Sequence, residues 1–583
     1  MKAQAASMAA GEPADLEHPR LPVLARPLTQ TLGAGDLATM ALYVALSLLG
    51  ALAGSLAAVL LVPLVQPGHV FRLAGGLFDA GGIEAQAAAF AAASMAYAVL
   101  RWRAARLGAR LSGRYAMTRR RLVHDRLVDA PLTSLAGSSS AEIANALTWN
   151  IEIMTQGFSA LLHLLVAGVT AAVSLAFAFW VSPALMLAAP LFAALAVLAS
   201  RSFGREQSRV SRRYVADMTR LFWLSEEFPR RQRHIRSYER EDAEKREHRA
   251  ISARLRQGYQ RQLELLAAGR LVLELLAACA IAGLFVLARR WPGVDQASLL
   301  AVCLLLARLL PYLVSTRQGF QQLRAAAAAF ALWQRHMTLG ADPTAGPAAN
   351  PAAGAALRIH RLRVTPPPAG VEVRDLPLVP GEMTLLCGDS GIGKSSLADV
   401  LAGLAQPQDF AASVGGRAIG FADYRALVRR GAYVSQDVRA WQPTVGECLR
   451  WAAPEASDAA LRAALAEVGL DPAAPALAKG LDTSLHGTAS RLSGGELQRL
   501  LLAQVILRQP FLALLDEATS ALDAAAEIEV LAALRRRLPR TILIVVSHRP
   551  GVAQLADQRL QIGGDGVARL LRHGAARQAT AAS

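Results

Sequence analysis

Four cysteines in 583 residues, Cys279, Cys303, Cys387 and Cys448, fall at no spacing that suits a disulfide framework or a metal-ligand set. Cys279 and Cys303 lie in apolar runs and Cys387 in a strand-like one, so core packing is their expected role. Acidic residues are scarce, 45 against 62 basic ones, which leaves a net charge of +17. Such an excess fits either a nucleic-acid partner or the basic cytoplasmic flanks of a membrane protein. Aromatics make up 6% of the chain, and no basic patch is interleaved with them, which argues against nucleic acid. Residues 1–36 are polar and have no apolar core, so no secretory signal peptide is expected there. Charge is missing altogether from residues 37–71, 85–100 and 153–200.

Those uncharged runs supply the excess behind a mean hydropathy of +0.30. Residues 40–65 alone suffice to cross a bilayer, which takes roughly 20 residues. The Ala-rich run 85–100 is a second, shorter span after a Gly-rich break at Gly75-Gly76 and Gly81-Gly82. Ser182-Pro183 sits near the middle of 153–200 and suits a tight turn, which makes this stretch two spans. Runs at 271–288 and 297–316, separated by Arg289-Arg290-Trp291-Pro292-Gly293, bring the predicted total to six. Nine arginines follow the second span, between Arg101 and Glu152, and a second basic segment runs from Arg201 to Arg270. The turn after span 3 has none. Positive flanks stay in the cytoplasm, so both loaded segments and both termini are expected there.

Within the basic segments apolar residues recur at helical spacing, as at Leu107, Leu111 and Tyr115 and at Leu255, Tyr259, Leu263 and Leu266. The spans are therefore predicted to continue into the cytoplasm and to turn where proline interrupts them, around 129–132 and around 226–229. Spans 5 and 6 each carry one charge, Glu274 and Arg308, and span 3 carries His163 in a similar layer. A charge at the centre of a span costs about 2.5–3.5 kcal/mol on insertion scales. Glu274 and Arg308 are expected to face a central cavity, paired with each other or touching polar cargo. The alternative is that both snorkel to headgroups.

After residue 335 the chain changes character. The reading divides it into a tail at 1–36, a membrane domain at 37–335, a linker at 336–357, a second domain at 358–575 and a tail at 576–583. In the second domain the apolar run 383–387 leads into Gly388-Asp389-Ser390-Gly391-Ile392-Gly393-Lys394-Ser395, a match to G-x-x-x-x-G-K-[ST], and then a helical stretch from Ser396. Backbone N–H groups of such a loop close around phosphate oxygens, with the helix N-terminus adding its positive end. Lys394 is placed to reach β- and γ-phosphates and the Ser395 hydroxyl to hold Mg²⁺. Further buried strands are predicted at 432–435, ending before Gln436, at 511–515, ending in Asp516-Glu517, and at 541–546, ending in Ser547-His548. Asp516 suits Mg²⁺, Glu517 suits activation of water, and Gln436 and His548 sit at strand ends where α/β folds place ligands.

With Leu492-Ser493-Gly494-Gly495-Glu496 added, the chain resembles an ATP-binding cassette (ABC) half-transporter of the exporter type. The fold implied is multi-domain: an all-α six-helix transmembrane domain followed by an α/β P-loop ATPase domain. Residues 388–395 resemble the Walker A motif, 512–517 Walker B, 492–496 the signature, Gln436 the Q-loop, Ser520-Ala521-Leu522-Asp523 the D-loop and His548 the switch histidine. The resemblance implies ATP and Mg²⁺ as ligands, Ser396, Ser493, Gly494, Gly495 and Asp523 as further nucleotide contacts, and Glu517 as general base. It also implies a second half-transporter, because the partner's signature completes each ATP site; a homodimer is favoured over a heterodimer. The expected function is ATP-driven export of an amphipathic or hydrophobic cargo (lipid, peptide, drug or siderophore) across the inner membrane. An exporter-shaped importer of a metal–siderophore complex and a membrane-anchored regulatory ATPase are the alternatives. Two departures stand out. No aromatic for adenine stacking occurs in 359–368, so either nucleotide affinity is lower or His360 substitutes, and His486-Gly487 stand where the pattern carries Gly-Glu.

Overall fold

The computed structural model describes residues 28–29, 32–65, 82–135, 138–186, 189–290, 296–340, 355–365, 370–436, 439–471, 475–485 and 492–572. Gly75-Gly76 and Gly81, residues 291–293, most of the linker and His486-Gly487 lie outside these. Two compact units emerge, Met1–Asp129 with Gly137–Leu339, and Gly340–Ser583 with Ala130–Ala136.

The secondary structure described for residues 28–340 is helical: α1 (Ala34–Val65), α2 (Ile83–Val128), α3 (Leu132–Leu135, grouped with the second unit), α4 (Ser140–Leu147), α5 (Trp149–Val181), α6 (Pro183–Met186), α7 (Ala189–Ser237), α8 (Glu241–Arg290) and α9 (Gln296–Met337). Among the described residues five stretches, α1, α2, α4–α5, α8 and α9, are long and apolar enough to cross a membrane. The fourth predicted span falls on residues whose side chains are outside the description; its backbone is helical from Ala189. Apolar side chains such as Leu49, Phe179, Leu275 and Phe285 point outward, as a bilayer-facing surface requires. Cys279 is exposed on this surface, against the expectation of core packing, while Cys387 and Cys448 are buried and burial pushes the Cys448 thiol up to about 12.

Helices α1, α2, α5 and α9 pack together. At Gly157 on α5 an added Cβ would overlap Ala326 on α9, so the small residue permits the close approach on which helix packing in lipid depends. Further along, Tyr115 of α2 stacks on Phe158 of α5 at 4.5 Å, and the buried Arg119 guanidinium lies 5.0 Å over the Tyr115 ring and 5.6 Å over Trp333 of α9. The guanidinium offers its positive charge to two aromatic faces at once, an attraction an aliphatic side chain in the same place would lack.

Helices α7 and α8 instead pack chiefly on each other. A ladder of ion pairs fixes their antiparallel register: Glu206–Arg261 at 2.6 Å, Asp217–Arg254 at 3.0 Å, Arg220–Glu247 at 2.9 Å and Arg231–Glu244 at 3.0 Å. The predicted turn at 129–132 is where α2 ends, but the one predicted at 226–229 is not a turn. Helix α7 continues through Pro229 to Ser237 and the chain reverses at Tyr238–Arg240, with Glu239 at φ 53°. Proline removes one helical hydrogen bond, roughly 3 kcal/mol in a helix interior, and the packing of α7 on α8, with ion pairs on both sides of Pro229, is what the continued helix has to set against it. Glu241, Asp242 and Glu244 then suit the positive end of α8.

The second unit is a ten-stranded sheet in the order β5-β4-β1-β2-β10-β9-β3-β8-β7-β6. Its strands and helices are β1 (Leu357–Val364), β2 (Val371–Leu378), β3 (Met383–Cys387), α10 (Lys394–Leu401), β4 (Asp409–Val414), β5 (Arg417–Ile419), α11 (Phe421–Val428), β6 (Ala432–Ser435), α12 (Val445–Ala452), α13 (Asp458–Glu467), α14 (Gly494–Arg508), β7 (Leu512–Asp516), α15 (Ala524–Arg537), β8 (Ile542–Val546), α16 (Pro550–Leu555), β9 (Gln558–Ile562) and β10 (Val567–Arg572). Strands β9, β3, β8, β7 and β6 are parallel, and β3, β7 and β8 are buried at every residue, as continuous apolar runs covered on both faces should be. Their alternate residues feed two cores. Leu543 and Val545 join α12 to α15 on one face, while Ile542, Ile544 and Val546 join α10 and α11 on the other.

Candidate functional site

The carboxyl ends of β3, β6, β7 and β8 carry the residues singled out from sequence. After β3 the loop turns through Gly391 at φ 79° and Gly393 at φ 105°, values open to glycine and strained for other residues. Gly393 caps α10 without a side-chain hydrogen bond, so the first N–H groups of α10 stay free for an anion. Lys394 is buried, and its ammonium donates to Gly388 O and Asp389 O at 2.9 Å each, which holds it along the loop. Ser390, Ser395 and Ser396 occupy the loop and the first turn beside it.

Ser435 and Asp516 are register partners on β6 and β7, and Gln436 follows, exposed. Asp516 is buried at the end of β7 and accepts a hydrogen bond from Tyr433 Oη at 3.3 Å. Tyr433 also reaches Asp399 on α10; burial raises the Asp399 carboxyl above its ordinary value, and the nearby Asp516 charge adds to the rise. Burial likewise raises the Tyr433 phenol, beside two carboxylates, so it stays a donor. A hydroxyl, a carboxamide and one carboxylate form a donor set for a hard cation that keeps several of its waters. No group of three His, Cys, Asp or Glu fit to hold a metal occurs among the described residues. Ser395, Gln436 and Asp516 are of the donor types that suit Mg²⁺ shared with phosphate oxygens.

Glu517 stands one residue beyond Asp516 at φ 53°, a left-handed backbone rare for a side chain of this kind. Its N–H donates to Val546 O at 3.1 Å, and its Oε1 lies 3.5 Å from His548 Nε2. Both side chains are partly open to solvent. A carboxylate and an imidazole so placed can take up a proton from water and stabilise the charge that results.

Helix α14 begins with a reciprocal cap, in which Ser493 Oγ accepts from Glu496 N–H at 3.3 Å and Glu496 Oε2 accepts from Ser493 N–H at 2.6 Å. Ser493 and Gly494 remain exposed. At Gly495 a Cβ would press on Ala521 O at 3.2 Å, so glycine lets the helix start lie against the 520–523 loop. Gln498 fastens the two, donating to Ser520 Oγ at 3.1 Å and accepting from Ala521 N–H at 2.9 Å. Asp523 caps α15, accepting from Ala526 N–H at 2.8 Å.

Several expectations change. His360 sits at a bulge in β1, and its Nε2 lies 2.9 Å from Ser413 Oγ on β4, so the imidazole is engaged within the sheet. Glu274 does not pair with Arg308: it takes Arg270 on its own helix at 2.7 Å, the i,i+4 partner in easy reach. Arg308 turns to α1 and α2, with Nη1 donating to Ser55 Oγ at 3.2 Å and Ala51 O at 3.4 Å and its guanidinium 4.7 Å over the Tyr97 ring. His163 is exposed. Sequence reasoning passed over Tyr433, Thr519, Glu527 and Arg549. Tyr433 was visible as a phenol two residues ahead of the strand's end; Glu527 read as an ordinary first-turn acid.

Comparison with known proteins adds the following. A family model described as ABC transporter matches residues 372–520, and one described as ABC transporter transmembrane region matches residues 40–291. An ATP-dependent lipid A-core flippase of Ralstonia nicotianae is 28% identical over 466 residues, 77% of each chain. One of Burkholderia orbicola is 36% identical over 203 residues, so that the match spans 34% of that relative's length. The mycobactin import ATP-binding/permease protein IrtA of Mycolicibacterium smegmatis is 38% identical over 189 residues, 32% of this chain and 22% of that one. A solved bacterial Atm1-family ABC exporter with ATP bound superposes with a TM-score of 0.74, covering 94% of this chain and 97% of that one at 19% identity, a likeness of fold.

Proposed function

This chain belongs to the ABC transporters, a multi-pass membrane protein with an ATP-binding cassette fused behind its membrane region, and from that premise we propose that it is one half of an ATP-driven exporter of an amphipathic cargo that carries an anionic group. The observation that carries the cargo class is Arg308. It is a cation on a membrane-spanning helix with no acidic partner among the described residues, and its Nη2 is buried with no acceptor among them. Around it, Tyr97 bonds to both Arg308 and Tyr312 and Tyr312 to Thr170, while Ser55 and Ser174 lie 3.3 Å apart, so four helices turn polar groups to one place. Lipid A-core, which the flippase relatives are named for, is a cargo of this class.

In the mechanism proposed, the α10 N-terminus and Lys394 take the triphosphate, while Ser395, Gln436 and Asp516 would hold Mg²⁺, which would supply positive charge against the γ-phosphate when bound. Glu517 accepts the proton of the attacking water, and His548, within reach of Glu517, steadies the γ-phosphate side. Ser493 and the α14 N-terminus, exposed on this chain, cover the γ-phosphate of a partner chain. The partner is a second copy, or failing that a different half-transporter. Helices α7 and α8 support this, since they pack on each other and leave Phe222, Trp223, Leu263 and Leu271 exposed for a partner or lipid to cover. The cassette faces the cytoplasm, on the side of the basic flanks, and the membrane is the inner one.

The test is flux in vesicles with the cassette outward, where ATP should drive an anionic amphiphile inward. Flux out of such vesicles would favour the importer reading, to which the likeness to a mycobactin import protein lends support. Lack of any cargo-stimulated ATP turnover would favour a regulatory ATPase. Arg308→Gln should raise the cargo concentration that half-stimulates ATP turnover roughly ten- to hundredfold, the loss of one charge-assisted hydrogen bond of about 1.5–3 kcal/mol, and Glu274→Gln should leave it alone. Equal stimulation in wild type and Arg308→Gln would remove Arg308 from the cargo path.

The adenine site yields a further expectation. With His360 engaged by Ser413 and no aromatic in 359–368, base stacking worth roughly 1–3 kcal/mol is missing. Of Val364→Tyr, Thr365→Tyr and Pro366→Tyr, one should lower the half-saturating ATP concentration about tenfold and restore preference over GTP. Tight ATP binding in the wild type with no response in any variant would show that the base is held otherwise.

A further inference from the structure

Glu527, in the first turn of α15, is 2% exposed, and no role has been given to it above. Its carboxylate is occupied on both oxygens. Oε1 accepts from Thr519 Oγ1 at 2.6 Å and from Ser547 Oγ at 3.2 Å, and Oε2 accepts from Arg549 Nη1 at 3.2 Å. Arg549 reaches further, donating through Nη1 to Leu522 O at 2.6 Å and through Nη2 to Ser520 O at 3.0 Å. Its own N–H donates to Ser547 Oγ at 3.2 Å. One buried carboxylate thus ties residues 517–523, which begin with Glu517, to residues 546–549, which contain His548.

An acid serves a helix dipole from the surface, and burying it carries a desolvation cost that only full pairing offsets. Local helix stability therefore gives no reason for this depth. The two loops that meet at Glu527 carry the two groups whose 3.5 Å separation the hydrolysis mechanism needs, and such separations must hold within about 0.5 Å to be productive. We propose that Glu527 is a positioning residue for ATP hydrolysis: through Thr519, Ser547 and Arg549 it holds the Glu517 loop and the His548 loop as one body. This rests on the ATPase reading above.

An amide at 527 keeps the shape but loses the charge: its bond to the Arg549 guanidinium becomes a neutral, weaker one, and its NH₂ has to be accepted by hydroxyls that now donate to a carboxylate, so the tie between the two loops loosens. The experiment compares full-length wild type, Glu527→Gln and Glu517→Gln in lipid nanodiscs by hydrogen exchange, ATP turnover and equilibrium ATP binding. In Glu527→Gln, amides of 517–523 and 546–549 should exchange faster together. Turnover should fall roughly tenfold or more, with the ATP dissociation constant within about twofold of wild type. Unchanged exchange at 546–549, unchanged turnover, or a joint loss of binding and turnover would overturn the proposal. If wild type itself hydrolyses no ATP, the ATPase reading falls, whereas exchange still decides whether the two loops are joined. Should Glu527→Gln not fold, Thr519→Val combined with Ser547→Ala removes two of the three donors with little change of volume and must give the same paired loosening.

Discussion

Glu517→Gln should end steady-state ATP turnover, a loss of roughly 10²–10⁴-fold for removal of a general base, while the protein still binds ATP and closes on it. The amide preserves volume and the backbone bond from residue 517 to Val546 O, but it cannot take a proton from water. His548 lies 3.5 Å away and stays in place, so the residual rate reports what the imidazole and phosphate contacts do alone. Phosphate release measured beside nucleotide trapping distinguishes this outcome from simple loss of binding. Turnover at half the wild-type rate would take the role of base away from Glu517.

Lys394→Ala should produce the opposite failure. The ammonium is buried and held to the loop by Gly388 O and Asp389 O, so its position does not depend on solvent-exposed groups that could take over. Losing charge-assisted hydrogen bonds of about 1.5–3 kcal/mol each should weaken triphosphate binding by roughly two orders of magnitude. A diphosphate, with fewer oxygens in reach, should suffer less. Titration with a fluorescent ATP analogue reads this directly, and an unchanged dissociation constant would show that the α10 N-terminus holds the phosphates without the lysine.

The parts that could be read from the chain beforehand share a physical property, which is that their signal is local. Strands β3, β7 and β8 are short apolar runs buried on both faces and β6 is a short run beside them, and each lies within a residue of the position read from sequence. The phosphate loop and the α14 start were legible because glycine at fixed spacing and a capping box are backbone requirements written in neighbouring residues. What escaped depends on partners distant in sequence. Pro229 read as a turn because the ladder from Glu206–Arg261 to Arg231–Glu244, which carries the helix past it, joins two separate helices. Glu274 and Arg308 looked like a pair because depth along a helix can be counted, whereas rotation about it cannot. Glu527 was hidden by resembling what any helix start tolerates.

The backbone at Glu517 has one more consequence. A left-handed conformation costs an ordinary side chain roughly 1–2 kcal/mol, and asparagine much less. With Glu517 as the proposed base, this is thus a position where selection for thermal endurance and selection for turnover pull apart. Glu517→Asn should melt no lower than wild type, and by calorimetry of the nucleotide-free protein somewhat higher, though it turns over no ATP. A screen that rewarded heat resistance alone would discard this glutamate early, so a stabilised version of this transporter has to be sought with residue 517 held fixed.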